Sequence, residues 1–324
     1  MQAIVMTATG GPEVLVAQEV PAPEPKAGEV LVRTEAVPVL FPETMVRSGA
    51  FPAPLPLPLV FGTQAVGTVT DIGAGVDAAL IGQRVLVAKD DFGTYAEQVC
   101  APATSAVPIP AGLSSEEAAA VSMSGSVALP LLKAANLTGT ETVLIEAAAT
   151  GIGGYLTQLA KEAGAARVIA TAGGPDKAGQ AREFGADVVI DHLDPQWPQR
   201  VRETLDGATL DVVFDSIGGE SALAVLDLMT PLSGRMLSYG FLSGAPAQVS
   251  AMDLIMRGLT LIGCSGPQWL AGVAQARGAA LERAATGTLT PLIDRVLPLE
   301  QAARAHRLVA DRATRGTIVL RPGH

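Results

Sequence analysis

The stretch EAAATGIGGYLTQLAKEAG, residues 146–164, decides the fold, because it places glycines between an apolar strand-like run and a helix-like run. Gly151 and Gly153 fit the motif G-x-G-x-x-G, but its third position is Leu156, whereas the spacing A-x-x-G-x-x-G is met from Ala148 onward. Glycine lets the backbone approach a phosphate, and the N–H groups at a helix N-terminus attract one. The stretch therefore predicts a turn for the pyrophosphate of a dinucleotide. The alternative is a tight turn without a ligand.

Segments around and after this turn alternate between the patterns of strand and helix. The strand-like runs are continuously apolar, which is typical of parallel strands buried on both faces. In order they read TVLIEA, RVIATA, DVVID, DVVFDSIG, GRMLSYG and LTLIGC, with PDKAGQAREFG and ALAVLDLM among the helices. The alternation predicts an α/β fold with a doubly wound parallel sheet of the Rossmann type.

Residues 1 to about 105 instead have the pattern of short strands broken by glycine and proline. FPAPLPLPLVFG, residues 51–62, contains four prolines and predicts a rigid loop, since proline fits neither a helix interior nor a central strand. Ser114 and Glu117 have the spacing of a capping box, which predicts the start of a helix. The C-terminal run RGTIVL predicts a last strand that could return to the first domain.

The size and charge of the chain limit its function. A chain of 324 residues suits two domains. The net charge of −10 and the pI near 4.8 argue against nucleic acid or an anionic membrane as partner. No apolar run approaches the ~18 residues of a membrane span, no signal-peptide pattern is seen, and two isolated cysteines suit a reducing compartment, so we expect a cytoplasmic protein. The three histidines form no pair with metal-ligand spacing, and we expect no metal.

The end of the second strand indicates which dinucleotide is bound. NAD-binding domains usually place an Asp or Glu there for the ribose hydroxyls, but this strand ends in Thr171, Ala172 and two glycines. Asp176 comes later and is predicted to lie in the first turn of the next helix. Lys177 is within reach of the strand end and could meet a 2′-phosphate, which favours NADPH over NADH. The alternative is that Lys177 is a solvated helix residue.

Several motifs together resemble one known family over nearly the whole chain. They are MVRSGAFP, GTQAVGTVTDIGAGV, GQRVLV, GTYAEQV, LIEAAATGIGG, QLAKEAGA, KAGQAREFGADVVID, DVVFDSIGG and AHRLVADRATRGTIVL. The chain resembles the zinc-independent quinone oxidoreductase branch of the medium-chain dehydrogenase/reductase superfamily. The resemblance implies a GroES-like catalytic domain from residues 1–120 and 265–324, a Rossmann domain from residues 121–264, and NADPH in the cleft between them. Zinc-dependent relatives carry G-H-E where this chain has FGTQAVG, with Gln64 in place of the acid, so the resemblance implies hydride transfer without a metal.

The resemblance also implies positions for the cofactor-binding residues. Ser126 would approach the nicotinamide amide, and the residues along the nicotinamide side would be Ile217, Gly240, Phe241 and Leu242. The pyrophosphate would be lined by Thr150, Gly151, Ile152 and Gly153. The 2′-phosphate would be surrounded by Thr171, Lys177, His192 and Arg312. His192 replaces the usual Tyr of the family, and Arg312 has the alternative of a plain surface charge on the last helix.

Departures from the family pattern affect the expected substrate. Leu40 replaces the usual Asn, Glu43 the usual Asp, Thr150 a glycine and Glu146 a common His or Asn. The loss of the Asn removes a polar anchor near the reacting end. The implied substrate pocket is apolar and consists of Leu40, Phe41, Met45, Phe51, Gln64 and Trp269, with Glu43 beside it. Such a pocket suits a hydrophobic quinone or α,β-unsaturated carbonyl compound.

The expected reaction is hydride transfer from NADPH to an electron-poor carbon, followed by a proton. Solvent can supply that proton, and Glu43 is the other candidate, with a plain loop carboxylate as its alternative role. Two other functions remain open: a non-redox cyclase or isomerase on the same scaffold, and a protein that binds NADPH without turnover. The run LTLIGC would be an exposed apolar sheet edge, which relatives cover by pairing two subunits, so we expect a homodimer.

Overall fold

A computed structural model describes residues 1–51 and 55–323 of the chain. These residues divide into two compact units, Met1–Met123 with Arg277–His324, and Ser124–Ala276. The sequence predicted domain boundaries at residues 120 and 264. The first lies a few residues before the division that follows Met123. The second precedes the long helix Pro267–Ala285, within which the other division falls. The two units are described separately below.

The helices and strands are numbered along the chain. The strands are β1 (Gln2–Met6), β2 (Leu15–Glu19), β3 (Glu29–Val39), β4 (Leu59–Val60), β5 (Gln64–Ile72), β6 (Arg84–Ala88), β7 (Gln98–Pro102), β8 (Val107–Pro108), β9 (Thr142–Ile145), β10 (Arg167–Ala172), β11 (Val188–Asp191), β12 (Val212–Asp215), β13 (Arg235–Ser238), β14 (Thr260–Gly263), β15 (Ile293–Pro298) and β16 (Thr317–Arg321). The α-helices are α1 (Phe41–Ser48), α2 (Ser115–Val121), α3 (Ser124–Ala135), α4 (Gly151–Ala160), α5 (Pro175–Glu183), α6 (Trp197–Leu205), α7 (Gly219–Leu226), α8 (Ala251–Arg257), α9 (Pro267–Ala285) and α10 (Ala302–Ala310).

The first unit is rich in β-structure. Its larger sheet has the order β15-β16-β3-β5-β6-β8, with β7 also paired to β3, and a smaller sheet has the order β2-β1-β4. The last strand, β16, pairs antiparallel with β3, which confirms the predicted return of the C-terminus to this domain. Alternate residues of β3 such as Val30 and Val32 are fully buried and join the core of the unit.

The described part of the proline-rich segment, residues 55–62, contains a strand at the edge of the smaller sheet. Residues 52–54 lie outside the described part of the chain, so the predicted rigid loop can be compared only from residue 55 onward. Leu59 and Val60 form β4, which pairs with β1 at the edge of the smaller sheet. An edge position is compatible with proline on the flank, because a proline cannot donate to a neighbouring strand.

The second unit is the predicted doubly wound parallel sheet. Its strand order is β11-β10-β9-β12-β13-β14, and every neighbouring pair in it is parallel. From β9 the chain builds outward to β10 and β11, then crosses over to β12, β13 and β14 on the other side of β9. The order therefore reverses between β9 and β12, and ligands of such sheets bind at the carboxyl ends of the strands at that point.

The structure tests two predictions in the region from Ser114 to Ala135, one on a helix start and one on membrane spans. The predicted capping box is confirmed at α2, where Ser114 Oγ accepts from Glu117 N and the Glu117 carboxylate accepts from Ser114 N. The expectation that no run is long and apolar enough to span a membrane is wrong by length and composition, because the helical stretch Ser115–Ala135 meets both criteria. However, 67% of that stretch is buried inside the protein, which is the behaviour of a core helix.

Candidate functional site

The glycine turn lies between β9 and α4, at the carboxyl edge of the parallel sheet. Ala147 and Gly151 both have left-handed backbone conformations, with φ of 49° and 50°. Thr150 precedes α4 in an extended conformation, and its side chain makes no capping hydrogen bond. The first N–H groups of α4 are therefore left without a side-chain cap, which is the arrangement that accepts a phosphate.

Glycine is favoured at positions 151 and 153 for different physical reasons. A Cβ on Gly153 would lie 2.4 Å from the Ala147 carbonyl oxygen and 2.8 Å from that of Glu146, so any larger residue would push α4 away from the turn. Around Gly151 there is open space, with Ser124 Oγ the nearest atom at 3.9 Å. Gly153 is required by close packing, whereas Gly151 is favoured by its backbone conformation and leaves room above the turn.

Thr171 joins the glycine turn to the end of the second strand. Its carbonyl oxygen accepts from Ala148 N at 2.8 Å, and its hydroxyl accepts from Ala147 N at 3.3 Å. The same hydroxyl lies 3.0 Å from His192 Nδ1, and a Cβ on Gly173 would lie 3.1 Å from His192 Nε2. The structure thus brings Thr171 and His192 together, as the sequence analysis expected, at the end of β10.

An acid that the sequence analysis did not single out also lies here. Asp191 ends β11, and its carboxylate accepts from Gly174 N at 3.2 Å and Leu193 N at 2.9 Å. These backbone hydrogen bonds lower the pKa of Asp191. Lys177 is half-buried in the first turn of α5, and Asp176 is in the same turn, as predicted. The acid was missed because it belongs to the neighbouring strand and not to β10 itself.

The loops after β12 and β13 carry the residues expected along the nicotinamide. Ser216 O accepts from Leu242 N at 3.0 Å, and a Cβ on Gly240 would lie 2.7 Å from that same oxygen. Ile217, Gly240 and Leu242 are therefore brought together on two touching loops. Phe241 is 36% exposed on the second loop.

Two buried carboxyl groups underlie these loops. Glu146 follows β9 and Asp215 ends β12, and both are 0% exposed. The Glu146 carboxylate accepts from Ser216 N and Ile217 N, each at 3.1 Å, and from Ser221 Oγ at 2.8 Å. Burial, and then the charge of Asp215, raises the pKa of Glu146 to about 8. Glu146 is visible in the sequence as a departure from the family pattern, but no local signal pairs it with Asp215.

The remaining predicted site residues are distributed over both units. Ser126 is fully buried in α3 of the second unit. Arg312 is exposed just after α10, with φ of 55°, and belongs to the first unit. Trp269, expected in the substrate pocket, lies at the start of α9 in the second unit, whereas the other pocket candidates are in the first.

The substrate-pocket candidates of the first unit gather at α1. Leu40 is the residue before the helix and is buried, whereas Phe41 and Met45 in the helix are half-buried. Phe51 is 51% exposed, and its N–H donates to Met45 O at 3.1 Å. Gln64 begins β5 with 1% exposure, and its Oε1 has no hydrogen-bond partner among the described residues. An unpaired buried acceptor of this kind can receive a donor from a ligand.

Glu43 is a buried helix residue, and the alternative of a plain loop carboxylate is wrong. It occupies the first turn of α1 with 2% exposure. One carboxylate oxygen accepts from Leu40 N at 3.0 Å and Tyr95 Oη at 2.7 Å, and the other from Thr63 N and Thr63 Oγ1, each at 2.8 Å. Burial raises the pKa of Glu43, while these hydrogen bonds oppose the rise. Both oxygens are thus occupied by the protein itself.

The network continues from Tyr95 to His306. Tyr95 Oη lies 3.0 Å from His306 Nε2, and burial raises the pKa of the tyrosine. Burial, and then the nearby Arg47 charge, lowers the pKa of His306 to about 3, so the ring is neutral. His306 Nδ1 has no hydrogen-bond partner among the described residues, and Arg47 donates to Gly10 O. No local sequence pattern indicates this network, because Glu43 and His306 come from opposite ends of the chain.

Two family models match the chain. Residues 26–111 match the alcohol dehydrogenase GroES-like domain, and residues 151–283 match the zinc-binding dehydrogenase model. The second description raises the question of zinc. Within residues 1–51 and 55–323, no group of three His, Cys, Asp or Glu side chains could hold a metal ion. The donor set therefore does not fit a zinc site.

Full-length relatives give a consistent result. The chain is 35% identical to a quinone oxidoreductase of Pseudomonas aeruginosa over 98% of this chain and 99% of that protein. It is 31% identical to a 2-haloacrylate reductase of Burkholderia sp., covering 99% of both. Among solved structures, Escherichia coli quinone oxidoreductase complexed with NADPH aligns with a TM-score of 0.90 and 32% identity over 99% of this chain and 100% of that one. A structure described as an NAD-dependent alcohol dehydrogenase aligns with the same TM-score and identity over 100% of both chains.

Proposed function

This chain belongs to the quinone oxidoreductase branch of the medium-chain dehydrogenase/reductase superfamily, and from that premise we propose that it is an NADPH-dependent reductase of hydrophobic quinones or α,β-unsaturated carbonyl compounds. The observation that carries the proposal is the glycine turn, which is hydrogen-bonded to Thr171 near the end of β10. This arrangement offers uncapped helix N–H groups for a pyrophosphate beside a site for the adenosine half.

The residues of the second unit fit the dinucleotide. The turn from Thr150 to Gly153 would hold the pyrophosphate, with Gly151 leaving the space above it open. Thr171 and His192 would contact the adenosine side, joined by Lys177 at the 2′-phosphate. The nicotinamide half would be held by Ser126, Ile217, Gly240, Phe241 and Leu242. NADPH, when bound, supplies the hydride.

The preference for NADPH over NADH depends on the end of β10. An NAD site needs a carboxylate that is available to the ribose hydroxyls. The Asp191 carboxylate belongs to the neighbouring strand, and its Oδ1 accepts from the N–H groups of Gly174 and Leu193. Lys177 supplies a positive charge for a 2′-phosphate. The ratio of the two dissociation constants, and its change in Lys177→Ala, tests this choice.

The chain's own residues position the substrate by shape more than by hydrogen bonds. Leu40, Phe41 and Met45 present apolar surface at the start of α1, and Gln64 Oε1 is a buried acceptor that lacks a partner among the described residues. Quinones and enones are largely apolar and electron-poor, so they suit such a surface. Similarity to a 2-haloacrylate reductase agrees with an activated carbon–carbon double bond as an alternative hydride acceptor to a quinone.

We assign the final proton to solvent. Both oxygens of Glu43 are held by donors from Leu40, Thr63 and Tyr95, so its carboxyl group is not presented to a substrate. His306 is buried behind Tyr95 and neutral. We propose no step through a metal, and among the described residues no group of three His, Cys, Asp or Glu side chains could hold one. Substitution of Glu43 should therefore lower the stability of the protein more than it slows the proton-transfer step.

The proposal includes a cytoplasmic homodimer that interacts with neither membranes nor nucleic acid. Strand β14 is the edge of its sheet, and the preceding helix α8 exposes Met252, Ile255 and Met256, each more than 60% accessible. A second copy would cover this apolar edge. Light scattering should give twice the chain mass of 33.0 kDa, and Ile255→Glu should shift it toward the monomer. A monomer in the unsubstituted protein would contradict the dimer.

The deciding experiment combines binding and turnover. NADPH and NADH are titrated by fluorescence, and oxidation of NADPH is followed by absorbance with a panel of quinones and enones. Binding with substrate-dependent oxidation supports the reductase. Product formed without loss of NADPH would support a cyclase or isomerase, and tight binding without any reaction would support a protein that holds NADPH without turnover.

A further inference from the structure

We infer that Glu146 is held protonated beside the Asp215 carboxylate, and that the two side chains together hold the β12 turn, residues 216–219, in the shape that receives the nicotinamide half of the cofactor. This inference rests on the proposed function, because it assumes that this turn faces NADPH. It assigns Glu146 a positioning role that the sequence pattern alone did not indicate.

The sheet itself brings the two carboxyl groups together. Strands β9 and β12 are parallel neighbours, and Ile145 pairs with Phe214, so the next residue on each strand is a carboxylic acid. Both acids are 0% exposed, and a side-chain hydrogen bond with Asp215 contributes to the raised pKa of Glu146. A charge on both of two carboxyl groups this close and fully buried is strongly disfavoured, so Glu146 retains a proton.

The partners of the pair do not supply a compensating positive charge. Glu146 accepts from two backbone N–H groups and the Ser221 hydroxyl, and Asp215 accepts from Gly218 N at 2.8 Å and Ser238 Oγ at 2.7 Å. All of these donors are neutral. A second negative charge in this place would therefore be opposed only by neutral dipoles.

The other titratable groups around the pair come from the next two strands. Tyr239 follows β13, and burial, with the charges of Glu146 and Asp215 adding to it, raises its pKa. Cys264 follows β14, and burial raises the pKa of its thiol to about 11. Both groups stay neutral where Glu146 titrates, so they neither supply a proton nor compensate a charge near neutral pH.

The hydrogen bonds of the pair fix the β12 turn at both ends. Glu146 holds the N–H groups of Ser216 and Ile217, and Asp215 holds that of Gly218. The turn is already tight, because Gly218 and Gly219 have φ of 68° and 57° and a Cβ on Gly218 would lie 2.5 Å from a backbone oxygen of the next loop. When Glu146 loses its proton, repulsion from the Asp215 carboxylate should loosen the turn and weaken cofactor binding.

The test is the pH dependence of NADPH affinity in the unsubstituted protein and in Glu146→Gln. Glutamine reproduces the neutral acid, with one donor and one acceptor, but does not titrate. If only the form with Glu146 protonated binds well, the affinity of the unsubstituted protein falls about tenfold per pH unit above the pKa of Glu146, whereas that of Glu146→Gln stays flat. Glu203→Gln, at an exposed position on α6, is the matched control and should keep the pH dependence. Equal slopes in the unsubstituted protein and Glu146→Gln would overturn the inference.

A second measurement needs no cofactor and separates this inference from the proposed function. Hydrogen exchange of the β12 turn in the free protein should accelerate as the pH rises through the range near 8, after correction for intrinsic exchange, and should not do so in Glu146→Gln. Infrared spectroscopy should show a protonated carboxyl band at neutral pH that is lost in that variant. If NADPH fails to bind at any pH, the proposed function fails, but the exchange and infrared results still decide the pair. Absence of both the band and the pH-dependent exchange would overturn it.

Discussion

Tyr95→Phe isolates one hydroxyl in the buried network of the first unit. Tyr95 Oη donates to the Glu43 carboxylate at 2.7 Å and lies 3.0 Å from His306 Nε2. The ring packs edge-on against Phe61, with centroids 5.8 Å apart and an interplanar angle of 87°, and phenylalanine keeps that contact. The substitution therefore removes two hydrogen bonds while leaving the packing of the core in place.

The magnitude follows from what the hydroxyl contacts. A hydrogen bond to a charged group contributes about 1.5–3 kcal/mol, and a buried polar atom left unpaired costs about 1–3 kcal/mol. Glu43 would keep its donors from Leu40 and Thr63, but the ring of His306 would lose its one partner among the described residues. We expect the free energy of unfolding of the first unit to fall by about 2–4 kcal/mol.

Urea unfolding combined with hydrogen-exchange mass spectrometry measures this loss. Exchange should accelerate in peptides of the first unit around α1 and α10, while peptides of the parallel sheet in the second unit keep their protection. Tyr239→Phe is the matched control, because the buried Tyr239 hydroxyl has no hydrogen-bond partner among the described residues, and its removal should cost less than about 0.5 kcal/mol. A loss below about 0.5 kcal/mol for Tyr95→Phe, or equal losses for both variants, would refute the reasoning.

Three further predictions concern the cofactor site and the network. Gly153→Ala should weaken NADPH binding at least tenfold, because its Cβ would lie 2.4 Å from a backbone oxygen, whereas Gly179→Ala, with open space inside α5, should leave affinity unchanged; equal affinities in titrations would contradict this. Lys177→Ala should weaken NADPH binding more than NADH binding, and an unchanged ratio of dissociation constants would exclude the 2′-phosphate role. His306 has a folded pKa of about 3 against an ordinary 6.5, so the unfolded chain binds the extra proton between these values. Stability should therefore fall as pH drops from about 6.5, and His306→Gln should show a smaller fall in denaturant midpoint over that window.

The parallel sheet could be predicted from the sequence because its signals are local. Strands buried on both faces have the pattern of unbroken apolar runs, and β12, in which all four residues are buried, is the clearest case. The start of α2 was equally visible, since Ser114 and Glu117 form a capping box within four residues of sequence. The short apolar run RGTIVL likewise predicted the last strand, β16, but its pairing with β3 is known only from the structure.

The buried polar networks could not be predicted, because they depend on contacts between distant parts of the chain. Tyr95 and His306 are 211 residues apart, and nothing in either local pattern indicates the other. Glu146 was noticed as a departure from the family, but its meaning depends on the register of β9 against β12, which places Asp215 beside it. The local sequence of Glu43 is typical of a loop carboxylate. Its donors Thr63 and Tyr95 come from other parts of the chain, so its buried position could not be predicted.

The most direct test of an NADPH-dependent reductase is absorbance of NADPH during incubation with a hydrophobic quinone or enone, in the presence of the unsubstituted protein or Gly153→Ala. The expected result is oxidation of NADPH in step with loss of the acceptor, much faster than with NADH and strongly reduced in Gly153→Ala. Saturable binding of NADPH without oxidation by any quinone or enone would contradict the reductase function.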